Sequence, residues 1–191
     1  MANHKGMVEF LPLNLAVLTV SDSRSLAEDS SGQVLADRVE ESGHRLTDRD
    51  IVKDDIYQIR AVLSNWIARE DINVVVVTGG TGFTERDNTP QAVTPLFDRQ
   101  VDGFGELFRQ VSFKDIGSAT IQSRAFAGLA NNTVIFCMPG SPNACRTAWD
   151  EIIVEQIDSR TRPCNFVPHL KLQASNTPAE AEKGACCGSR A

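Results

Sequence analysis

The sequence VVVVTGGTG, residues 74–82, decides the fold class, because it joins a run of four valines to a loop with three glycines. An unbroken run of β-branched residues that ends in glycine is typical of a short strand buried on both faces. The apolar runs Leu13–Val20 and Thr133–Cys137 show the same pattern. Strands buried on both faces occur in parallel sheets covered by helices, so these three runs predict the centre of such a sheet.

Helical and strand patterns alternate between the first two of these runs. Apolar residues recur at helical spacing in Ser31–Ser42, where Ser30 or Ser31 can serve as the N-cap and Gly43 as the stop. Arg45–Val52 can supply a strand, and a second amphipathic helix is expected from about Asp55 to Glu70. The order strand, helix, strand, helix, strand predicts an α/β protein with a doubly wound, mostly parallel sheet.

The pattern changes after Val77. Thr89-Pro90 suits a helix start with Thr89 as the cap, and Asn131-Asn132 suits the tight turn of one antiparallel hairpin. The predicted elements are helices over Pro90–Phe97 and Phe104–Lys114, separated by a turn at Asp102-Gly103, then hairpin strands Ala125–Ala130 and Thr133–Met138, and a last helix over Asn143–Asp158.

The composition sets the domain organisation and excludes several classes of function. The 191 residues carry a formal net charge of −6 and include 41% hydrophobic residues, which suits one folded domain. We expect a flexible N-terminus at residues 1–10, a domain at 11–172 and a disordered tail at 173–191. The acidic balance argues against a nucleic-acid partner, and no apolar run is long enough to cross a membrane. An odd number of cysteines without a signal peptide predicts a reducing, cytoplasmic location.

Three polar loops follow the predicted central strands, where ligands of open parallel sheets bind. They contain Ser21-Asp22, Thr78-Gly79-Gly80-Thr81-Gly82 and Pro139-Gly140-Ser141-Pro142-Asn143. Backbone N–H groups of glycine loops and of helix N-termini can bind anions. The alternative interpretation is that both loops are only tight turns. The glycine loop is not a Walker A loop, because no GK[ST] follows, and Glu85 breaks the dinucleotide-binding fingerprint.

Three carboxylates are expected near these loops: Asp54, Asp87 and Asp22. Asp54 and Asp87 could instead be ordinary helix caps, and Asp55 is expected to be one. Carboxylates next to anion-binding loops are coherent when a divalent cation lies between them, because carboxylate and phosphate oxygens share Mg²⁺. The three histidines and the cysteines Cys137 and Cys145 are expected to be structural, and Cys186-Cys187 incidental.

The sequence resembles the family of molybdenum cofactor biosynthesis proteins that bind molybdopterin. The resemblance covers about residues 10–172, and the segment 159–170 is similar to the B branch of the family. The matching motifs are TVSDSR (19–24), VVVVTGGTGFTERDNTP (74–90), GFGELFRQVSF (103–113), QSRAFAG (122–128) and MPGSPNACRTAWDEII (138–153).

The resemblance implies a three-layer α/β/α fold and a homo-oligomer, either a trimer or a dimer of trimers. It also implies adenylyl transfer from ATP to molybdopterin with Mg²⁺, with release of pyrophosphate. The two functional aspartates of the family match Asp54 and Asp87, expected to be catalytic and to hold the metal. The glycine loop and the proline-glycine loop would hold the substrates. The alternatives are a non-catalytic carrier of molybdopterin and, less well supported, a scaffold.

Overall fold

The protein folds around a six-stranded mixed sheet whose strand order is β2-β1-β3-β6-β5-β4. The computed structural model describes residues 9–172, so the predicted tail, Cys186, Cys187 and His4 lie outside the described part. The strands are β1 (Asn14–Val20), β2 (Arg45–Val52), β3 (Val74–Thr78), β4 (Arg99–Gln100), β5 (Phe126–Ala130) and β6 (Thr133–Met138). Strands β2, β1, β3 and β6 are parallel, and β5 is antiparallel to β6 and β4.

Alternate residues of the central strands enter two separate hydrophobic cores. On one face, Val74 and Val76 pack with helices α1 (Ser30–Glu41), α4 (Asp102–Ile116), α5 (Pro142–Ala148) and α6 (Val154–Ile157). On the other face, Val75 and Val77 pack with α2 (Ile56–Ala68) and α3 (Thr89–Val93). All four valines have no exposed surface, which explains why the run has no polar residue. The three-layer α/β/α architecture is therefore confirmed.

The helices follow the predicted order with some shifts at their ends. Their bounds are α1 (Ser30–Glu41), α2 (Ile56–Ala68), α3 (Thr89–Val93), α4 (Asp102–Ile116), α5 (Pro142–Ala148) and α6 (Val154–Ile157). A π-helical segment, Trp149–Ile153, joins α5 to α6. The last helix was predicted as one helix, and the chain is indeed helical throughout this region, but its middle turn is the wider π-helix.

The hairpin turn is confirmed. Asn131 and Asn132 adopt positive φ angles of 46° and 54°, and Ala130 pairs with Thr133 across the turn. The two-residue strand β4 was not expected, because two residues carry no detectable alternation. It extends the predicted hairpin into a three-stranded antiparallel edge.

Two helix boundaries were predicted wrongly. The helix expected over Pro90–Phe97 is α-helical only to Val93 and then narrows to a 3₁₀ turn, because Pro95 lacks the N–H that an α-helix needs. Asp102-Gly103, expected to be a turn, forms the first residues of α4 instead. An aspartate is favourable in a first helical turn because it faces the positive end of the helix dipole.

Two predicted caps were also wrong. The N-cap of α1 is Asp29, whose carboxylate accepts a hydrogen bond from Gly32 N at 2.9 Å, and not Ser30 or Ser31. The N-cap of α3 is Asn88, because the Thr89 hydroxyl is turned inward and donates to the Gly79 carbonyl at 2.8 Å. Asp55 caps α2 as expected, accepting from Tyr57 N and Gln58 N.

Of the residues expected to be structural, Cys137, Cys145 and His44 are buried, whereas His169 is exposed. Burial raises the pKa of the Cys137 thiol, and it raises the pKa of the Cys145 thiol to about 11. Burial lowers the pKa of His44 to about 4, and its Nδ1 accepts a hydrogen bond from Leu13 N. Within residues 9–172, no helix is long and apolar enough to cross a membrane.

Candidate functional site

A cleft of about 370 Å³ lies at the carboxyl ends of β1, β3 and β6. The three loops that the sequence singled out meet here, because parallel neighbouring strands end at the same edge of the sheet. The predicted residues that line the cleft are Ser21, Thr78, Gly79, Gly80, Thr81, Gly82, Asp87, Pro139 and Gly140.

The glycine loop is held in a conformation that needs glycine at two positions. Gly79 and Gly80 have φ angles of 100° and 62°, and a Cβ on Gly79 would collide with the Val20 carbonyl. Gly79 N donates to Met138 O at 3.1 Å, and Thr89 N donates to Gly80 O at 2.9 Å. Within the described residues, no protein acceptor takes the N–H groups of Gly80 and Thr81. These two groups are therefore available to an anion.

Arg124 fixes the far end of this loop. Its guanidinium donates to the carbonyl oxygens of Thr81 at 3.1 Å and of Asp87 at 2.8 Å, and also to the Gly82 carbonyl. It lies 5.0 Å from the ring centroid of Phe83, within the range of a cation–π contact. With three carbonyl groups bound on one side, the loop is anchored by a planar set of donors. Sequence reasoning missed this role, because 37 residues separate Arg124 from Asp87.

The proline-glycine loop forms the opposite wall. Ser141 is the N-cap of α5, accepting from Ala144 N at 3.1 Å, and Pro142 occupies the first turn. The Gly140 carbonyl accepts from the Ser31 hydroxyl at 2.8 Å. A Cβ on Gly140 would lie 3.0 Å from the Gly79 Cα, so the two loops touch and only small residues fit between them. Ser141, Pro142 and Asn143 themselves do not line the cleft.

Asp54 lies beneath the glycine loop and does not line the cleft. Its side chain is buried, and one carboxylate oxygen accepts from Asn88 N at 2.9 Å. The other oxygen is so close to Gly80 that a Cβ there would lie 2.5 Å from it. Burial raises the pKa of Asp54, hydrogen bonds from Asn88 act against that rise, and the charges of Asp22 and Asp87 add to it.

Asp87 lies at the cleft surface. One of its oxygens accepts from Thr84 N at 2.8 Å and from the Thr84 hydroxyl at 2.6 Å. Burial acts to raise the pKa of Asp87, but the hydrogen bonds from Thr84 and Gly82 and the charge of Arg124 outweigh it, so that the pKa is lowered. Asp87 is therefore held as an anion.

Asp22 links the first loop to both later segments. Its carboxylate accepts from Asp54 N at 3.1 Å and pairs with Arg86 at 2.6 Å. The Ser21 hydroxyl accepts weakly from Arg24 N at 3.3 Å, which shapes the turn at the cleft mouth. The structure thus brings Asp22, Asp54 and Asp87 into one neighbourhood, with Arg86 as the cationic partner of Asp22.

The carboxylate at the cleft surface, Asp87, is of the kind that can share a magnesium ion with a bound phosphate. No group of three or more His, Cys, Asp or Glu side chains in residues 9–172 could hold a metal by itself. Protein-bound Mg²⁺ uses one or two carboxylates and completes its shell with water and substrate phosphates. Asp87 supplies such a carboxylate at the cleft, and Asp54, buried beneath the glycine loop, is close enough for the charges of the two groups to interact.

Other cleft residues were not selected from the sequence. Arg24 reaches the Gly140 carbonyl at 3.4 Å and brings a positive charge to the cleft, and Gln122 closes one side. Thr19 lines the floor and donates to the buried Asp29 at 2.7 Å. Arg24 belongs to a loop that the sequence already indicated as part of the site, so its positive charge could have identified it as a cleft residue. The residue types of Gln122 and Thr19 do not by themselves indicate a binding role.

A three-layer fold with glycine and proline-glycine loops at the carboxyl edge of a parallel sheet defines a class of α/β proteins that bind ligands at this edge. Residues 16–159 match the family model described as a probable molybdopterin binding domain. The chain belongs to this molybdopterin-binding family, within the group named molybdenum cofactor biosynthesis protein B.

Individual relatives agree with this assignment. The molybdenum cofactor biosynthesis protein B of Escherichia coli (strain K12) is 58% identical over 163 residues, which are 85% of this chain and 96% of that protein. A crystal structure of a molybdenum cofactor biosynthesis protein B matches with a TM-score of 0.74 and 41% identity over 76% of this chain and 91% of its own. The tungsten cofactor synthesizing protein MoaB from Pyrococcus furiosus matches with a TM-score of 0.67 and 36% identity, over 74% and 90% of the two chains.

Proposed function

We propose that this protein binds molybdopterin and ATP at the cleft and transfers AMP to the terminal phosphate of molybdopterin. The observation that carries the proposal is the meeting of the glycine loop, the proline-glycine loop and Asp87 at one cleft, with the Asp54 carboxylate directly beneath Gly80. A protein with net charge −6 does not attract phosphates by its overall field. It must use backbone N–H groups, a few arginines and a cation, which are the groups that this edge offers.

In the proposed reaction, an oxygen of the molybdopterin phosphate attacks the α-phosphorus of ATP. The bond between the α-phosphorus and the oxygen that bridges to the β-phosphate breaks, and pyrophosphate leaves with that electron pair. The N–H groups of Gly80 and Thr81 hold phosphate oxygens in line. Asp54 and Asp87 would hold Mg²⁺, which when bound offsets the negative charge of the leaving pyrophosphate.

The alternative is a carrier that binds molybdopterin without turnover. One observation favours it: an oxygen of Asp87 is already occupied by two hydrogen bonds from Thr84. A carrier needs the loops but not the carboxylates. The two candidates therefore differ in what the loss of Asp87 does.

The experiment replaces Asp87 by asparagine, which keeps the shape and removes the charge. With purified protein, molybdopterin, ATP and Mg²⁺, we expect pyrophosphate release by the unchanged protein and a fall of at least about 100-fold in D87N. Asp115→Asn, an exposed aspartate on α4, is the matched control and should keep full activity. Equal rates in D87N and the unchanged protein would contradict the catalytic role of Asp87. If neither protein released pyrophosphate, the result would support the non-catalytic carrier.

We also propose that the protein is a homo-oligomer, either a trimer or a dimer of trimers. Phe113, Ile116 and Ile121 are 59%, 51% and 79% exposed on α4 and the 3₁₀ turn after it. Large apolar side chains exposed close together are typical of a surface that another chain covers.

A further inference from the structure

Asp22 borders the cleft without lining it. Its chain neighbours Ser21 and Ser23 both line the cleft. One oxygen of the Asp22 carboxylate accepts a hydrogen bond from Asp54 N at 3.1 Å and another from the Arg86 guanidinium at 2.6 Å. Among residues 9–172, these two groups are its hydrogen-bond partners. Any effect of Asp22 on the cleft is therefore exerted through the residues that it binds.

The hydrogen bond from Asp54 N holds the backbone of a loop residue. The pairing of β2 with β1 ends at Val52, so no strand pairing fixes the position of Asp54. Asn88 contacts Asp54 from the other side, since its N–H donates to the carboxylate at 2.9 Å and its side-chain amide donates to the carbonyl at 3.4 Å. A hydrogen bond to a charged acceptor is stronger than one to a neutral acceptor, so Asp22 makes the stronger of the two contacts to the Asp54 backbone.

The ion pair with Arg86 connects the same carboxylate to Asp87. Arg86 directly precedes Asp87, and within the described residues Asp22 is the only acceptor that its guanidinium binds. The side chains of Arg86 and Asp22 are 66% and 38% exposed. An exposed ion pair contributes little to the free energy of unfolding. The main effect of this pair is therefore to restrict where the segment next to Asp87 can lie.

We propose that Asp22 is a positioning residue, which sets the Asp54 and Asp87 carboxylates relative to each other because one of its oxygens binds both Asp54 N and the Arg86 side chain. This inference rests on the proposed function, because it assigns the mutual placement of the two carboxylates that would hold Mg²⁺. An error of about 1 Å in the placement of a reacting group can cost about 100-fold in rate. Loss of a group that orients a metal ligand commonly lowers metal affinity or activity by about 10- to 100-fold.

Three variants separate the two contacts of Asp22. Asp22→Ala removes both contacts, Asp22→Asn keeps an acceptor for Asp54 N but removes the charge, and Arg86→Gln removes only the ion pair. In the pyrophosphate-release assay, we expect kcat to fall about 30- to 100-fold in D22A, while KM for ATP changes by less than about threefold. D22N and R86Q should each lose about two- to fivefold in kcat, because they give up only an exposed ion pair.

A second measurement needs no turnover. Mn²⁺ replaces Mg²⁺, and its binding to the full chain is followed by electron paramagnetic resonance in the presence of α,β-methylene-ATP, whose bridging carbon prevents AMP transfer. We expect D22A to bind Mn²⁺ about tenfold or more weakly than the unchanged protein does.

Asp158→Ala is the matched control for both measurements. Asp158 follows α6 and does not line the cleft. Like Asp22, it accepts from a backbone N–H, that of Arg160 at 2.8 Å, and forms an ion pair with an exposed arginine, the same Arg160, at 2.7 Å. D158A should therefore keep both kcat and the affinity for Mn²⁺.

Several outcomes would overturn the positioning role. Equal kcat and equal Mn²⁺ affinity in D22A and the unchanged protein would do so, and so would equal losses in D22A and D158A. A rise in KM for ATP without a fall in kcat would overturn it in favour of a direct contact between Asp22 and ATP. If D22A did not fold, the other two variants would decide, and kcat values in D22N and R86Q equal to that of the unchanged protein would overturn the role.

Failure of the proposed function gives a different result from failure of this inference. If the unchanged protein released no pyrophosphate, weaker Mn²⁺ binding in D22A than in D158A would still support the positioning role, and equal or absent binding would overturn it. Conversely, turnover that depends on Asp87 but not on Asp22 would leave adenylyl transfer intact and overturn only this inference.

Discussion

Gly80 lines the cleft and lies directly against the buried Asp54. Its φ angle of 62° is one that side chains with a Cβ rarely adopt, and an added Cβ would meet both the Thr89 hydroxyl and the Asp54 carboxylate. A side chain at residue 80 would therefore both strain the backbone and displace Asp54, a proposed catalytic residue. Gly103, in the first turn of α4, has open space where its Cβ would be.

The two glycines allow a matched prediction at the scale of single residues. Gly80→Ala should lower the free energy of unfolding by about 1–3 kcal/mol, because it adds both strain and a collision. Gly103→Ala should leave it unchanged or raise it by up to about 1 kcal/mol, because alanine is the better helix former. Urea unfolding of both variants measures the difference, and an equal stability of the two variants would contradict this account of the loop.

At the scale of elements, the helices of the two faces begin with caps of different kinds. Asp29 is fully buried, caps α1 through Gly32 N, accepts from Thr19 and pairs with Arg49 at 3.2 Å. Asp55 caps α2 through two backbone N–H groups but is only half-buried. The first cap belongs to a buried network, and the second is a local feature.

Because the two caps differ in burial, replacing each aspartate by alanine should lower the free energy of unfolding by different amounts. Asp29→Ala should destabilise the protein by about 3 kcal/mol, because it removes the charged partner of Arg49 and the acceptor of the Thr19 hydroxyl and of a helix N–H. Asp55→Ala should cost about 1 kcal/mol, as the loss of an exposed cap does. Denaturant midpoints of the two variants test this, and similar losses would argue that the Asp29 network does not act as a unit.

At the scale of the whole molecule, the apolar surface of Phe113, Ile116 and Ile121 has a measurable consequence. Light scattering should give a mass three or six times the 20.9 kDa of one chain. Ile121→Asp, at the most exposed of the three positions, should lower that mass, because a buried unpaired charge weakens an apolar interface. Gln110→Asp, an exposed position on α4, serves as the control. A mass of one chain for the unchanged protein would contradict the oligomer.

Five of the six strands, the order of the layers and the loops at the sheet edge could be predicted from the amino-acid sequence, whereas β4 could not. Four valines in a row, glycines after a strand and Asn131-Asn132 act over a few residues, so their conformational preferences can be seen locally. The tertiary structure alone decided that Asp29 caps α1, that Thr89 turns inward to Gly79, and that Arg124 anchors the glycine loop. Each of these depends on groups that are distant in sequence or on neighbours that compete for the same role, and only packing selects among them.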